Sequence, residues 1–359
     1  MPELRQDPTT KDWVVFATER AKRPQEFSET EDAATEDPEG PCPFCPGNEH
    51  LTPAEIDRLT IPNREGAPWT VRVVPNRFAA LSPGDRPERR QIGPGFRRMA
   101  GIGAHEVVIE SPDHRRHLAD MTASEVRLLF EAYQRRYRAL RRLPSVEAVV
   151  IFKNHGRRAG TSLRHPHSQI VASPVATPLL RRRYEIARAH YEDSGTCLYC
   201  ELRDAESRSG ERVLFEEEGS VAFHPYASRW PFETWIVPRS HLPSFGLATD
   251  VEVEDAAAAT RRALELLRRA LGDFPFNYAV HSAPVREEHQ PFFVWHVQIV
   301  PRLTTPAGFE LGSGMWINPS LPEETAAFLR DLEGTRSGML GDRARPGGDA
   351  TRWEGAPSS

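Results

Sequence analysis

All four cysteines of this chain fall in two CxxC pairs, Cys42-Pro43-Phe44-Cys45 and Cys197-Leu198-Tyr199-Cys200, and each pair opens one of two sequence-similar halves. Two thiolates at that spacing can share one metal ion from a tight turn, leaving two tetrahedral positions for distant ligands. Behind each pair the same order of patterns recurs. The first half runs through VRVVPNRFAAL, GAHEVVIESPDH, a helical stretch, VEAVVIFKNHG and HPHSQIVASP. The second runs through SVAFHPYASR, PFETWIVPRSH, a helical stretch, FNYAVHSAP and VWHVQIVPRL. Strand patterns that precede and follow a single helix predict an antiparallel α+β unit with helices packed on its sheet, present twice.

Local signals support this division. Residues 122–125 (Thr-Ala-Ser-Glu) form a capping box whose Glu can reach back to the cap amide. Val126, Leu129, Phe130, Tyr133, Tyr137 and Leu140 then recur at helical spacing and predict one apolar face. A second helix is expected over 253–271, closed by Gly272. Strands are expected over 105–110, 146–153, 167–173, 232–237, 277–281 and 292–300. The first domain is expected over 1–175, the second over 176–335, and a disordered tail over 336–359. The acidic stretch 28–40 reads as a loop, and the Gly-, Pro- and Arg-rich stretch 84–103 as a long mobile loop of the kind that covers a substrate.

Composition limits the partners. The formal net charge is −5, and no basic, aromatic-interleaved stripe concentrates in either half, which argues against a nucleic-acid partner. Lysine occurs only at Lys11, Lys22 and Lys153, so nearly all cations are arginine, the better bidentate partner for phosphate. No run approaches the roughly 18 apolar residues of a membrane span. A cytoplasmic location is expected, where paired cysteines more often hold metal than form disulfides.

The chemistry concentrates in His165-Pro166-His167-Ser168-Gln169. Two histidines at i and i+2 on a strand face the same side of the sheet, so one can hold a metal while the other reacts. The distant ligands for Cys42 and Cys45 could come from His105, His114, His117, His155, His165 or His167. Imidazole attacks phosphorus readily, provided that one ring nitrogen is held so that the other points at the reacting atom. Gln169 lies two residues on and can donate its amide where charge develops on a phosphoryl oxygen. Gly160, Thr161 and Ser162 form a small polar segment able to hold a departing phosphate, and Asn154 adds a polar group on the approach.

These motifs, together with CPFCPGN, FHPYASRWPFE and PRLTTPAGFELGSGMWINP, resemble the galactose-1-phosphate uridylyltransferase family, a branch of the histidine-triad superfamily built from two fused histidine-triad-like halves. The likeness spans about residues 2–330. It implies zinc at Cys42, Cys45, His114 and His165, and His167 as a nucleophile that carries a uridylyl group. It implies that Ser162 and Gln169 bind the transferred phosphoryl group and that Asn76 and Asn154 help hold the nucleotide. The implied reaction is ping-pong: UDP-glucose leaves glucose 1-phosphate and uridylylated His167, and galactose 1-phosphate then takes the group to give UDP-galactose. A glutamine at position 169, where hydrolases of the superfamily carry a third histidine, suits an intermediate that waits for a sugar phosphate. A homodimer with an active site completed across the interface is also implied.

Two departures stand out. Laying HPHSQIV on VWHVQIV puts Val294 where His165 would be and His296 opposite the nucleophile. A second zinc is expected at Cys197, Cys200 and His241, with His296 as fourth ligand ahead of His281. The segment 308–316, which in this family helps to hold the hexose phosphate, contains no lysine, so Arg302 or another subunit would have to serve. Relatives of the same fold instead phosphorolyse ADP-glucose or dinucleoside polyphosphates, which is the alternative reading.

Overall fold

The computed structural model describes residues 1–20, 40–61 and 68–342. The acidic stretch expected as a loop lies outside the described residues up to position 39, as does the expected tail from position 343. The elements are, in order, β1 (Glu3–Gln6), β2 (Trp13–Phe16), β3 (Asp57–Leu59), β4 (Val71–Pro75), β5 (Arg90–Gly93), β6 (Phe96–Arg98), β7 (Ala104–Ile109), α1 (Ala123–Leu140), β8 (Ala148–His155) and β9 (His167–Ser173). There follow α2 (Pro178–Ser194), α3 (Leu198–Ser209), β10 (Val213–Glu216), β11 (Ser220–Phe223), β12 (Thr234–Pro238), α4 (Asp250–Leu271), β13 (Phe276–His281), β14 (His296–Pro301), α5 (Gly308–Ser313), β15 (Trp316–Asn318) and α6 (Pro322–Asp342). Helix α6 thus runs past position 336, where the tail was expected to begin.

Ten strands form one antiparallel sheet in the order β10-β11-β12-β14-β13-β8-β9-β7-β4-β3. Read outward from its middle, the sheet repeats itself, β8-β9-β7-β4-β3 one way and β13-β14-β12-β11-β10 the other. The duplication read from the sequence is therefore present in the α+β fold. The two half-sheets meet edge to edge: β8 pairs with β13, from Phe276 opposite His155 to Val280 opposite Ile151. That join leaves neither central strand with unpaired backbone.

Both sheet faces are covered, which is why the strands carry apolar residues on both sides. Helices α1 and α4 pack together over one face, and all six residues of the predicted α1 stripe are buried in the main core. The capping box closes as expected, with Glu125 N donating to Thr122 Oγ1 at 3.3 Å and Thr122 N donating to Glu125 Oε2 at 2.7 Å. Helix α4 starts earlier than expected, behind a second capping box of Thr249 and Glu252. On the opposite face Phe44, from the first CxxC turn, packs with Trp69, Val74, Val107 and Ile109. In the second half, Tyr199 of α3 and Ala187 of α2 lie over Phe223, Trp235 and Val294. The second CxxC is not a free turn, because Cys197 is the N-cap of α3. The stretch 84–103 likewise holds more structure than the expected loop, since β5 and β6 pair within it. Among the described residues no helix is long and apolar enough to cross a membrane.

Candidate active site

His167 opens β9 and is 8% exposed. Its Nδ1 donates to the carbonyl of His165 at 2.9 Å, so the Nε2 lone pair is free to react. Burial lowers the pKa of this ring below the ordinary histidine value, which keeps it uncharged at neutral pH. Beneath the strand a buried polar layer fixes its backbone. Lys153 Nζ donates to the His167 carbonyl at 3.3 Å while paired with Glu110, and Tyr133 Oη donates to Ser168 Oγ at 2.7 Å. The chain turns away after β8 at Gly156, whose φ is +81° and whose missing Cβ would stand 2.8 Å from Pro275 Cβ, so no other residue fits.

Gln169 is oriented by a chain of hydrogen bonds. Ala80 N donates to His105 Nδ1 at 3.1 Å, which leaves the proton of a neutral ring on Nε2. His105 Nε2 then donates to Gln169 Oε1 at 2.7 Å. Asn76 Oδ1 accepts from Phe78 N at 2.8 Å, so its amide nitrogen faces the same Gln169 oxygen at 3.4 Å. With its oxygen engaged, Gln169 keeps an amide nitrogen that makes no hydrogen bond among the described residues. In the sequence His105 stood only as one of several possible metal ligands, and the structure gives it this positioning role instead. Strand alternation puts His105 on the face of Val107, but only the pairing of Val107 with Gln169, which the sequence does not state, brings the two side chains together.

Cys42, Cys45, His114 and His165 come together, their ligand atoms all within 4.8 Å of one another. Sγ–Nδ1 separations are 3.7 Å for Cys42–His165, 3.3 Å for Cys45–His114 and 3.6 Å for Cys45–His165. A tetrahedral Zn²⁺ with ordinary Zn–S and Zn–N bonds would place S and N roughly 3.5 Å apart, so the donor set fits zinc in both chemistry and spacing. His165 Nε2 donates to the Ser111 carbonyl at 2.7 Å, which selects the tautomer whose Nδ1 can ligate.

The first 177 residues match the model of the galactose-1-phosphate uridyl transferase N-terminal domain, and residues 181–316 match that of its C-terminal domain. The chain belongs to the galactose-1-phosphate uridyl transferase family. It is accordingly an enzyme of the nucleotidyltransferase class. It is 35% identical to an ADP-glucose phosphorylase of Arabidopsis thaliana, over 92% of this chain and 93% of that one. It is 31% identical to a galactose-1-phosphate uridylyltransferase of Thermotoga maritima, over 93% and 99%. The solved structure of an Arabidopsis thaliana ADP-glucose phosphorylase with bound ADP-glucose superposes with a TM-score of 0.76 at 33% identity, covering 92% of this chain and 99% of that one.

In this uridyl transferase family member the second cysteine pair differs from the first. Cys197, Cys200 and His241 come together, with Cys200 Sγ 3.4 Å from His241 Nδ1. The Cys197 thiol, donating to Cys200, holds the Cys200 pKa below the ordinary thiol value. His296 does not join them, which corrects the expected ligand set. Its Nδ1 donates to the Val294 carbonyl at 3.0 Å, the geometry of His167 on His165, and its ring stacks on Trp235 at 4.7 Å. The ligating position is two residues upstream, where Val294 has no donor atom. His281 is also outside the group, its Nε2 bonded to Gln298 Oε1 at 2.8 Å.

The remaining expected residues divide. Asn154 accepts from Asn277 Nδ2 at 2.8 Å and lines, with Thr161, a cavity beside His167. Ser162 and Gly160 are exposed and do not line that cavity.

Proposed function

We propose that this enzyme moves a nucleotidyl group from a nucleotide sugar, through a covalent intermediate on His167, to a phosphate-bearing acceptor. The observation that carries the proposal is the pinned Nδ1 of His167, two residues along the strand from a Gln169 whose oxygen is held, which leaves its amide to donate. His167 Nε2 attacks the α-phosphorus, an N–P bond forms, and the anhydride P–O bond breaks to release sugar 1-phosphate. Gln169 donates to the non-bridging oxygen as charge builds, and has no basic nitrogen to activate water. An acceptor phosphate oxygen then attacks the same phosphorus, the N–P bond breaks, and His167 returns to its starting state. Zinc held by Cys42, Cys45, His114 and His165 would brace the backbone carbonyl of His165 that aims the nucleophile.

Two versions of this reaction compete. Uridylyl transfer from UDP-glucose to galactose 1-phosphate follows from the sequence motifs. Phosphorolysis of ADP-glucose to ADP and glucose 1-phosphate draws support from the 35% identity to a protein of that name and from the lysine-free segment 308–316. Incubation of purified enzyme with each nucleotide sugar and each acceptor separates them. ADP formed from ADP-glucose only when inorganic phosphate is added supports phosphorolysis, and UDP-galactose from UDP-glucose plus galactose 1-phosphate supports uridylyl transfer. No product in either assay would contradict both. The reading extends to a homodimer acting in the cytoplasm, and sedimentation velocity tests the dimer.

A further inference from the structure

Beside His167 the sheet end opens into a cavity of about 70 Å³, between the turn after β7, the turn after β8 and the end of α4. This is well below the ~300–1,000 Å³ of pockets that enclose drug-sized ligands, and suits a small ion. His117 lines it and is 6% exposed. The Nδ1 of His117 accepts from Ala119 N at 3.0 Å, so a neutral ring carries its proton on Nε2. That Nε2 is buried and has no hydrogen-bond partner, an arrangement that is costly unless a ligand accepts the bond.

The charge around it selects the ion. His117, His155 and Asp273 lie close enough to suggest a metal site. The tautomer argues otherwise, because the nitrogen a metal would need on His117 is the one that holds the proton. Asp273 is also taken by His155 Nε2 at 2.9 Å. Arg115 and Arg164 line the same cavity, and their guanidinium groups make no hydrogen bond or ion pair among the described residues. A buried donor and two unpaired guanidinium groups fit an anion.

We propose that this cavity is a phosphate subsite beside the nucleophile, built by His117, Arg115 and Arg164, that receives the phosphate of the acceptor. The role as acceptor site rests on the proposed transfer reaction, whereas phosphate binding stands without it. Isothermal titration of the full chain with inorganic phosphate at fixed ionic strength tests it, with Arg164→Ala and His117→Leu variants. Each variant is expected to bind at least tenfold more weakly. Because His117 also caps a turn, its variant can fail to fold, and exposed Arg164 keeps the test decisive. Glucose 1-phosphate competing with inorganic phosphate would identify a sugar phosphate as a second source of the same group, and no competition would restrict the site to inorganic phosphate. Wild-type phosphate affinity in folded variants would overturn the proposal. So would a stoichiometric divalent ion lost on Asp273→Asn. Absence of a His167 adduct with any nucleotide sugar would refute the transfer reaction and leave the phosphate titration to decide the subsite.

Discussion

Gln169 can stabilise charge only while its oxygen is held by His105, and His105 can donate only while Ala80 N occupies its other nitrogen. Replacing His105 by Phe should therefore slow intermediate formation by about 10–100-fold, less than the ~10²–10³-fold expected when the donor itself is removed by Gln169→Ala. Rapid-quench single-turnover assays measure both, and an unchanged rate in His105→Phe would contradict the positioning role. Lys153 makes the second residue-scale case. It is 2% exposed and paired with Glu110 under the strand that His167 opens. Lys153→Met strands a buried carboxylate and should cost about 3–5 kcal/mol, read from urea unfolding. Placements that follow from a local motif, such as His167 two residues after His165 on one strand face, were legible in the sequence. His105 was not, because its role depends on a pairing between β7 and β9. His296 misled because its motif matches that of His167, while the position equivalent to His165 lies two residues earlier and is valine, which has no donor atom.

At the scale of elements, the first CxxC turn matters through what it braces. Phe44 seats it on the sheet, and His165 links the metal group to the carbonyl that orients His167. Cys45→Ser should lose one zinc equivalent and most adduct formation. Cys200→Ser should lose metal with a smaller effect on adduct formation, since no residue of that group touches His167. Metal content by mass spectrometry beside adduct yield checks the pair, and equal losses of activity would contradict the division of roles. Helices α1 and α4 were legible because a capping box or C-terminal glycine brackets a strong apolar stripe. Helix α2 was missed because only Leu180, Arg183 and Ala187 of its residues are buried, too sparse a stripe to read. The β5–β6 hairpin was missed because its strands are short, arginine-rich and almost wholly exposed.

For the molecule as a whole, duplication was legible and its geometry was not. Nothing in either half's sequence states that β8 and β13 will pair, since each strand could equally have been an outer edge. Two histidines of the second half, His224 and His296, are fully buried, and burial of these rings shapes the response to acid. His224 is pushed down to about 4 and His296 to about 3, both chiefly by desolvation. Below about pH 6.5 the unfolded chain protonates these rings and the folded chain does not. Stability should therefore be intact above pH 6.5 and fall as pH drops towards 4, by up to ~1.4 kcal/mol per pH unit for each ring. Urea midpoints between pH 7.5 and 5 measure this, and a flat profile would contradict it.

The central claim is that His167 carries the nucleotidyl group. Intact-mass analysis after incubation with UDP-glucose or ADP-glucose alone, followed by peptide mapping under conditions that preserve phosphoramidates, tests it directly. The account predicts one uridylyl or adenylyl group per chain, mapped to His167 and absent from His167→Ala. An adduct on another residue, or turnover that survives His167→Ala, would contradict it.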